Sequence, residues 1–411
     1  MASQPKVIGA AAAGTSVPFA EIDIRTSIRP TVAEIDLGAV QRNLARLRRL
    51  MGSRPGVFGV VKADAYGHGA VAVARSLEPL CHMLAVSLVE EGLELRAAGI
   101  RAPILVLGAY YNHHHDEVLA ERLTPVVYDP GDLERFGAAA ARRGRRIDVH
   151  IKIDTGMSRL GIAPTAAEPT LARVSNLPSL RLAGLCTHFA SADLAETAST
   201  DVALAEFSVL LERARQLGFR GLTNHAANSA AAVRFPAARL DAVRPGLALY
   251  GAMPSEIVAV AGLEGALSLR TQIMSVRDLA PGTAVSYGGT WRASRPSRIA
   301  TLPIGYADGY PRHVRGAQVL LGGQRVPIVG AVCMDMMMID VTDLPPEALD
   351  GPIILIGRDG AEEITIDDLA HWAGTISYEI LCGISKRVPR VLRDAAVIPP
   401  RAPAGKPTGT P

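Results

Sequence analysis

The stretch Val60-Val61-Lys62-Ala63-Asp64-Ala65-Tyr66-Gly67-His68-Gly69 places a lysine at the end of an apolar run. The run begins at Val57 and is typical of a short buried strand, and the two glycines end it before a helical pattern starts at Ala70. A lysine held between apolar residues is partly desolvated, which lowers its pKa. Its amine is then available to form a Schiff base with an aldehyde cofactor. Lys62 is therefore the first candidate catalytic residue.

The composition is that of a globular protein long enough for two domains. The chain has 411 residues, of which 48% are hydrophobic and 20% are charged. Its formal net charge of +3 is small, and no basic run interleaved with aromatic residues suggests nucleic-acid binding. No apolar stretch reaches the length of a membrane span. We therefore expect neither a nucleic-acid partner nor a membrane.

The cysteines and histidines indicate neither a disulfide framework nor a metal site. The four cysteines, at positions 81, 186, 333 and 382, are far apart and predict free thiols in a reducing compartment. The alanine-rich segment 7–20 makes a poor signal peptide, so the expected location is the cytoplasm. The three histidines at 113–115 lack carboxylate or cysteine partners at ligand spacing, and we predict no metal.

An apolar run followed by an amphipathic helix recurs along the first part of the chain. The runs cover residues 57–61, 83–86, 104–107, 124–128, 147–153, 180–186, 221–224 and 240–243. Strands that alternate with helices in this way predict a parallel sheet with right-handed crossovers, and eight units can close into a TIM-like (β/α)8 barrel. After the barrel the rhythm changes to closely spaced strands and turns, which predicts a mostly β C-terminal domain.

These patterns divide the chain into four parts. We expect a flexible N-terminal extension over residues 1–30, a barrel domain over 31–265, a β-rich domain over 266–397 and a flexible tail over 398–411. Residues 31–37 alternate like a strand and are assigned to the barrel domain, with Asp36 as the cap of the helix that follows.

Several distinctive side chains come directly after predicted barrel strands. Following the first, fifth, sixth, seventh and eighth strands are Lys62, Arg159, His188, Ser229 and Arg244. Barrel enzymes build their active sites at this carboxyl end of the strands. The five residues therefore predict one site on the rim of the barrel.

Motifs over about residues 31–395 resemble those of alanine racemases, which are fold type III enzymes dependent on pyridoxal 5'-phosphate (PLP). Besides the stretch around Lys62 they are residues 152–161, 186–190, 224–231, 243–251, 285–291, 305–310, 332–336 and 377–379. The resemblance implies that PLP is attached to Lys62. It also implies that the enzyme interconverts L-alanine and D-alanine and supplies D-alanine for peptidoglycan.

By this resemblance, two bases act on opposite faces of the substrate. They are Lys62 and Tyr287, and the tyrosine comes from a partner subunit, which implies a homodimer with shared active sites. A phenol ordinarily has a pKa near 10, so a phenolic base needs positive neighbours. The expected neighbours are His188, which would link the tyrosine to Arg244, and Arg244 itself.

The resemblance also assigns the groups that tune the cofactor. Arg159 would bind the cofactor's phenolic oxygen and the substrate carboxylate, because a planar guanidinium suits both anions. Lys152 stands seven residues earlier, at the position that is often carbamylated in this family. Arg244 would donate to the ring nitrogen and keep it unprotonated. The weaker electron sink favours reprotonation over transamination.

The remaining assignments concern the phosphate and the substrate. The residues expected around the cofactor phosphate are Tyr66, Asn228, Ser229, Gly246, Leu247 and Tyr378. The backbone amide of Met334 would hold the substrate carboxylate. Tyr306 and Tyr378 would narrow the entrance and select small side chains.

Other readings of the same motifs stay open at this stage. A broad-specificity amino-acid racemase would share the motifs, but such enzymes tend to carry a signal peptide and a disulfide. A PLP-dependent decarboxylase of the same two-domain fold would need substrate residues that the sequence does not show. A non-catalytic PLP carrier would leave the second domain without a role. The sequence does not fix the strictness for alanine over serine, nor a biosynthetic against a catabolic or self-resistance role.

Overall fold

The computed structural model of the chain describes residues 28–52, 54–108, 110 and 114–393. The tail expected over 398–411, and the expected extension up to residue 27, lie outside the described residues. In chain order the strands are Val32–Asp36 (β1), Gly56–Val60 (β2), Met83–Val86 (β3), Ile104–Val106 (β4), Leu123–Val127 (β5), Ile147–Lys152 (β6), Leu180–Cys186 (β7), Ala242–Val243 (β8), Leu267–Thr271 (β9), Ser275–Leu279 (β10), Ala284–Val285 (β11), Trp291–Arg292 (β12), Ser297–Leu302 (β13), Gln318–Leu321 (β14), Gln324–Val329 (β15), Met337–Asp340 (β16), Ile353–Asp359 (β17), Glu362–Ile364 (β18) and Arg390–Arg393 (β19).

The helices alternate with the strands of the first half. They are Leu37–Met51, Ala70–Leu77, Val89–Ala97, His115–Ala120, Pro130–Arg142, Pro164–Ser175, Ala198–Gln216 and Ser229–Arg234, with Ile366–Ala373 and Ser377–Gly383 in the second half. Asp36 caps the first helix as predicted, since its side chain accepts a hydrogen bond from the amide of Ala39. Among the described helices, none combines the length and apolar character that crossing a membrane requires.

The predicted barrel is confirmed, with one strand reduced to a single residue. Seven parallel strands pair in the order β7-β6-β5-β4-β3-β2-β8. The predicted seventh strand, residues 221–224, is not a strand; instead His225 forms isolated bridges to Cys186 and Ala242 and so closes the ring. The reason is that side chains take over ladder hydrogen bonds. The side-chain oxygen of Asn224 accepts from the amide of Leu185, at 3.0 Å.

The second half forms the predicted mostly β domain. Its large sheet has the order β10-β13-β16-β15-β14-β17-β9-β1-β19, with β18 on β17. Most of these pairs are antiparallel, which suits the short hairpin connections of this region. Its apolar side chains form a core separate from that of the barrel.

Strand β1 lies elsewhere than expected from the sequence. It was assigned to the barrel domain, but it pairs antiparallel with β9 and parallel with β19 in the second sheet. Its inward side chains, Ala33 and Ile35, belong to the second core. On the other face the buried carboxylate of Glu34 binds Arg270 and Arg393, at 2.6 and 2.5 Å. The chain therefore starts in the second sheet and enters the barrel through the helix Leu37–Met51.

The position of β1 predicts which core a mutation will weaken. Ile35 is fully buried in the second core, so Ile35→Ala should lower the free energy of unfolding by about 2–5 kcal/mol. Both tryptophans, Trp291 and Trp372, lie in the second domain, so urea unfolding followed by tryptophan fluorescence reports on it. Leu50→Ala, at a half-exposed position of the first helix, is the control and should change stability by about 0.5 kcal/mol or less. An unchanged fluorescence midpoint in Ile35→Ala would contradict the assignment.

Candidate active site

A cavity of about 690 Å³ opens at the carboxyl ends of the barrel strands. Its volume lies in the range of small-molecule sites. It collects the residues expected around the cofactor, whose side chains or backbone line it together: Lys62, Tyr66, Lys152, Arg159, His188, Asn228, Ser229, Arg244, Gly246, Leu247 and Tyr378. The prediction of a site on the barrel rim therefore agrees with the geometry.

Lys62 has the electrostatic setting of a reactive amine. Burial lowers its pKa, and the positive charge of Arg159 lowers it further. Glu91 and Cys382 oppose this effect with smaller contributions. The amine therefore loses its proton more readily than an ordinary lysine, which is what attachment of an aldehyde cofactor requires.

The backbone after Lys62 forms a left-handed turn that the sequence did not predict. The four residues 63–66 have φ of 52–54° and ψ of 43–52°, although none of them is glycine. This conformation costs roughly 1–2 kcal/mol per residue. In a helical turn, two side chains that are four residues apart in the sequence lie on the same face of the turn. Lys62 and Tyr66 accordingly both line the cavity.

Arg244 is buried, and hydrogen bonds engage both of its terminal nitrogens. Its Nη1 donates to the carbonyl oxygen of His225 at 2.8 Å and to the Nδ1 of the same residue at 2.5 Å. Its Nη2 donates to the carbonyl oxygens of Thr187 and Ala226, at 2.7 and 2.8 Å, and lies 3.3 Å from His188 Nδ1. The guanidinium is thus fixed in one orientation at the wall of the cavity.

Two histidines behind Arg244 were missed by the sequence analysis. Because an arginine can only donate, Nδ1 of His225 accepts and its Nε2 carries the proton. That Nε2 lies 3.0 Å from Nδ1 of His150, so the two rings continue the hydrogen-bonded chain. Strand alternation was a usable signal: His150 stands two residues before Lys152 on β6 and so faces the barrel interior with it.

His188 corrects an expectation about charge. It was expected to belong to a positive network with Arg244. Burial lowers its pKa well below the ordinary 6.5, and the nearby cations Arg244 and Lys152 lower it further. The ring is therefore neutral at neutral pH, and its Nδ1 accepts from Arg244. Among this pair the positive charge belongs to the arginine.

The far end of the cavity is a cradle of hydrogen-bond donors. The hydroxyl oxygen of Ser229 accepts from the amides of Gly246 and Ala248, at 3.0 and 3.4 Å, which leaves its own O–H to donate. A Cβ atom on Gly246 would lie 2.5 Å from the hydroxyl of Tyr66, so a side chain there would fill the cradle. Burial raises the pKa of Tyr66, and raises that of Tyr378 to about 12, so both phenols keep their protons as donors. These groups fit an anionic phosphate.

Three predicted residues lie outside this cavity. Tyr287 is 70% exposed, Met334 52% and Tyr306 37%. The residues that line the cavity do not include them. A single chain therefore brings together the expected cofactor residues and Lys62, but it does not bring Tyr287 to Lys62.

The fold and the cavity together define a class of protein. A barrel with a desolvated lysine at its rim and a donor-rich phosphate cradle, followed by a β domain, is the architecture of a PLP-dependent barrel enzyme. Two family models match most of the chain: "Alanine racemase, N-terminal domain" matches residues 35–254 and "Alanine racemase, C-terminal domain" matches residues 266–392.

Individual relatives agree with the family models. An alanine racemase of Sorangium cellulosum is 45% identical over 380 residues, covering 89% of this chain and 100% of the relative. An alanine racemase of Halothermothrix orenii is 42% identical, and the match covers 88% of this chain and 96% of the relative. The solved alanine racemase of Bacillus anthracis with bound L-Ala-P is 38% identical with a TM-score of 0.83, covering 91% and 97%. That of the D-cycloserine producer Streptomyces lavendulae is 34% identical with a TM-score of 0.84, covering 90% and 98%.

The chain belongs to the alanine racemase family. It is accordingly an isomerase that acts on alanine, and its cofactor is PLP.

The buried histidines predict an acid-sensitive fold. Burial lowers the pKa of His150 to about 4, whereas an unfolded histidine has a pKa near 6.5. Between these values the unfolded state binds more protons, so stability is lost as the pH falls from 6.5 through about 4. His150→Asn should reduce the slope of unfolding free energy against pH by up to about 1.4 kcal/mol per pH unit.

Urea titrations at several pH values between 4 and 7 measure this slope. Phe207→Leu, a substitution in the barrel core, is the control, because it should lower stability at every pH and leave the slope unchanged. A slope in His150→Asn equal to that of the unmutated protein would show that His150 takes no part in the acid sensitivity.

Proposed function

We propose that the cavity around Lys62 carries out alanine racemisation with Lys62 and Tyr287 as the two bases. The observation that supports this most directly is that one cavity holds the desolvated Lys62, the fixed Arg244 and the donor cradle at Ser229 and Gly246. When bound, PLP draws electrons from the α-carbon and makes its proton acidic.

The residues of the chain would then divide the work as follows. Lys62 holds or returns a proton at its Nζ on one face of the α-carbon, and the hydroxyl of Tyr287 does so on the opposite face. Arg159 orients the substrate carboxylate through its guanidinium, with the backbone amide of Met334 as a second donor. Arg244 donates to the ring nitrogen and cannot supply it with a full proton.

The cradle would hold the phosphate and the entrance would select the substrate. The residues that would surround the phosphate all line the cavity: Tyr66, Asn228, Ser229, Gly246, Leu247 and Tyr378. Tyr306 and Tyr378 would narrow the way in, so that a methyl side chain passes more easily than a larger one.

A homodimer is proposed because the second base lies on the protein surface. Tyr287, Met334 and Tyr306 are all solvent-exposed in the single chain, although each has a proposed role beside the substrate. Large exposed apolar side chains such as Met274 and Met336 lie in the same domain, and such surfaces mark interaction sites. A second copy that supplies these residues would complete the site by symmetry.

Lys152 is proposed to carry a carbamate. It is buried at the end of β6, and burial together with the charges of Arg159 and Arg244 lowers its pKa. Its neutral amine could attack carbon dioxide and release one proton, which gives a carbamate anion. The new negative charge would face Arg159 and hold it in place.

The cellular role is proposed from the product and the cysteines. The enzyme would supply D-alanine, which is a building block of peptidoglycan. The four cysteines lie in the described part of the chain and are all free thiols, which supports a reducing, cytoplasmic compartment.

Isotope exchange tests the two-base assignment. Purified protein with PLP in heavy water should invert L-alanine and D-alanine, with deuterium at the α-carbon, as read by chiral separation and mass detection. Lys62→Ala should abolish inversion and deuterium incorporation alike. Tyr287→Phe should slow inversion by about 10²-fold or more, because one face of the α-carbon loses its proton carrier. Tyr310→Phe is the matched control, since the buried Tyr310 hydroxyl has no hydrogen-bond partner among the described residues. Bound PLP without inversion or exchange would refute the assignment.

Mixing two inactive variants tests the shared site. Lys62→Ala and Tyr287→Phe each damage every site in their own homodimer. A mixed dimer has one site with both substitutions and one with neither. Equal amounts, dissociated and reassociated, should recover about a quarter of the wild-type rate, because half of the dimers are mixed and half of their sites are intact. If both bases came from one chain, no activity would return.

A further inference from the structure

The left-handed turn 63–66 is a strained backbone segment, and neighbouring side chains must hold it in that conformation. It lies directly between Lys62, where the cofactor attaches, and Tyr66, which lines the phosphate end of the cavity. Such strain persists where surrounding groups hold it, and it concentrates at functional sites. The groups that hold this turn therefore bear on where the Lys62 amine points.

The imidazole of His68 contacts this turn from within. Its Nδ1 lies 3.0 Å from the carbonyl oxygen of Ala65 and 2.9 Å from that of Tyr66. Carbonyl oxygens only accept, so Nδ1 carries the proton and donates to both. The residue is fully buried. Its Nε2 has no hydrogen-bond partner among the described residues, so the ring makes its polar contacts with the turn alone.

The same ring also reaches the strand that precedes Lys62. It packs on Tyr250, with ring centroids 4.5 Å apart. The hydroxyl of Tyr250 donates to the carbonyl oxygen of Val60, at 2.8 Å, and Val60 is the last residue of β2. His68 therefore contacts the backbone after Lys62 directly and the backbone before it through one intermediate.

Other residues hold the outer edges of the turn. The carboxylate of Glu91 accepts from the amide of Ala63 at 2.7 Å, and Arg390 donates to the carbonyl of Gly67 at 3.0 Å. His68 differs from them because it engages two successive carbonyls inside the left-handed run.

We infer that His68 is a positioning residue of the active site, whose ring N–H fixes the left-handed turn and thereby aims Lys62 and Tyr66 into the cavity. The inference rests on the proposed attachment of PLP to Lys62. His68 does not touch the reacting atoms, so its loss should weaken cofactor attachment and turnover through the geometry of the turn.

Three substitutions separate the N–H from the ring. In His68→Asn the side-chain amide can donate from near the position of Nδ1. In His68→Gln the amide lies one bond farther out, away from the carbonyls, and in His68→Phe the ring remains without a donor. His82→Phe is the matched control: Nδ1 of His82 accepts from the amide of Val57, which lies at the end of β2 opposite to Val60.

Cofactor affinity is the first readout. Each variant, stripped of PLP and checked for folding by circular dichroism, is titrated with PLP while the visible absorbance of lysine-bound cofactor is followed. The dissociation constant should rise about tenfold or more in His68→Phe and His68→Gln, since the carbonyl of Tyr66 loses the ring N–H and that of Ala65 is left with the backbone amide of residue 68. It should stay within about threefold of wild type in His68→Asn and His82→Phe. Turnover should be affected most in His68→Phe and His68→Gln, and in these variants kcat should change by a larger factor than the KM for alanine.

Several outcomes would overturn the inference. One is equal PLP affinity in His68→Asn and His68→Gln. Another is a loss of PLP affinity in His68→Phe that is no larger than in His82→Phe when the two variants have lost the same amount in melting temperature. If His68→Phe does not fold, the comparison of the Asn and Gln variants decides. Borohydride reduction of the unmutated protein followed by peptide mass analysis checks attachment to Lys62 separately, so a failure of that assignment is distinguishable from a failure of the role of His68.

Discussion

The gathering of cationic side chains in one partly desolvated cavity is the constraint on which the rest of the site depends. Lys62, Lys152, Arg159 and Arg244 all line it, and its described lining contains no aspartate or glutamate. Positive charges gathered in a partly dry space raise each other's energy. Burial lowers the pKa values of both lysines and of His188, and the neighbouring cations lower them further, so these groups release a proton more readily. What remains charged is arginine, and the site as a whole attracts anions such as a phosphate, a carboxylate or a carbamate.

The backbone irregularities of the barrel lie at the same place. The left-handed turn follows β2, and the strand reduced to His225 lies between β7 and β8, beside Arg244. In each case side chains replace regular backbone pairing: His68 holds the turn, and Asn224 takes a ladder amide beside the bridge. Departures from local regularity are expected where function sets the geometry. Here they direct Lys62 and support Arg244.

Much of this arrangement could be predicted from the sequence, because position along a parallel barrel determines position on its rim. Lys62, Arg159 and Arg244 were each placed by the strand that precedes them. The left-handed turn could not be predicted, since Ala63–Tyr66 contains no glycine and nothing local favours positive φ. His225 was missed because its role depends on a partner 19 residues later in the chain. The pairing of β1 was also beyond reach, because an alternating pattern shows that a strand has a buried face but not which sheet it joins.

The second domain supports the site in two distinct ways. Within one chain it buttresses the turn: Arg390 donates to the carbonyl of Gly67, and a Cβ atom on Gly67 would lie 2.3 Å from the carbonyl oxygen of Leu381. Tyr378, from the helix that contains Leu381, lines the cavity itself. In the proposed dimer the same domain would reach across to the other chain with Tyr287. A change that loosened this domain would therefore disturb the aim of Lys62 in its own subunit and the supply of the second base to its neighbour.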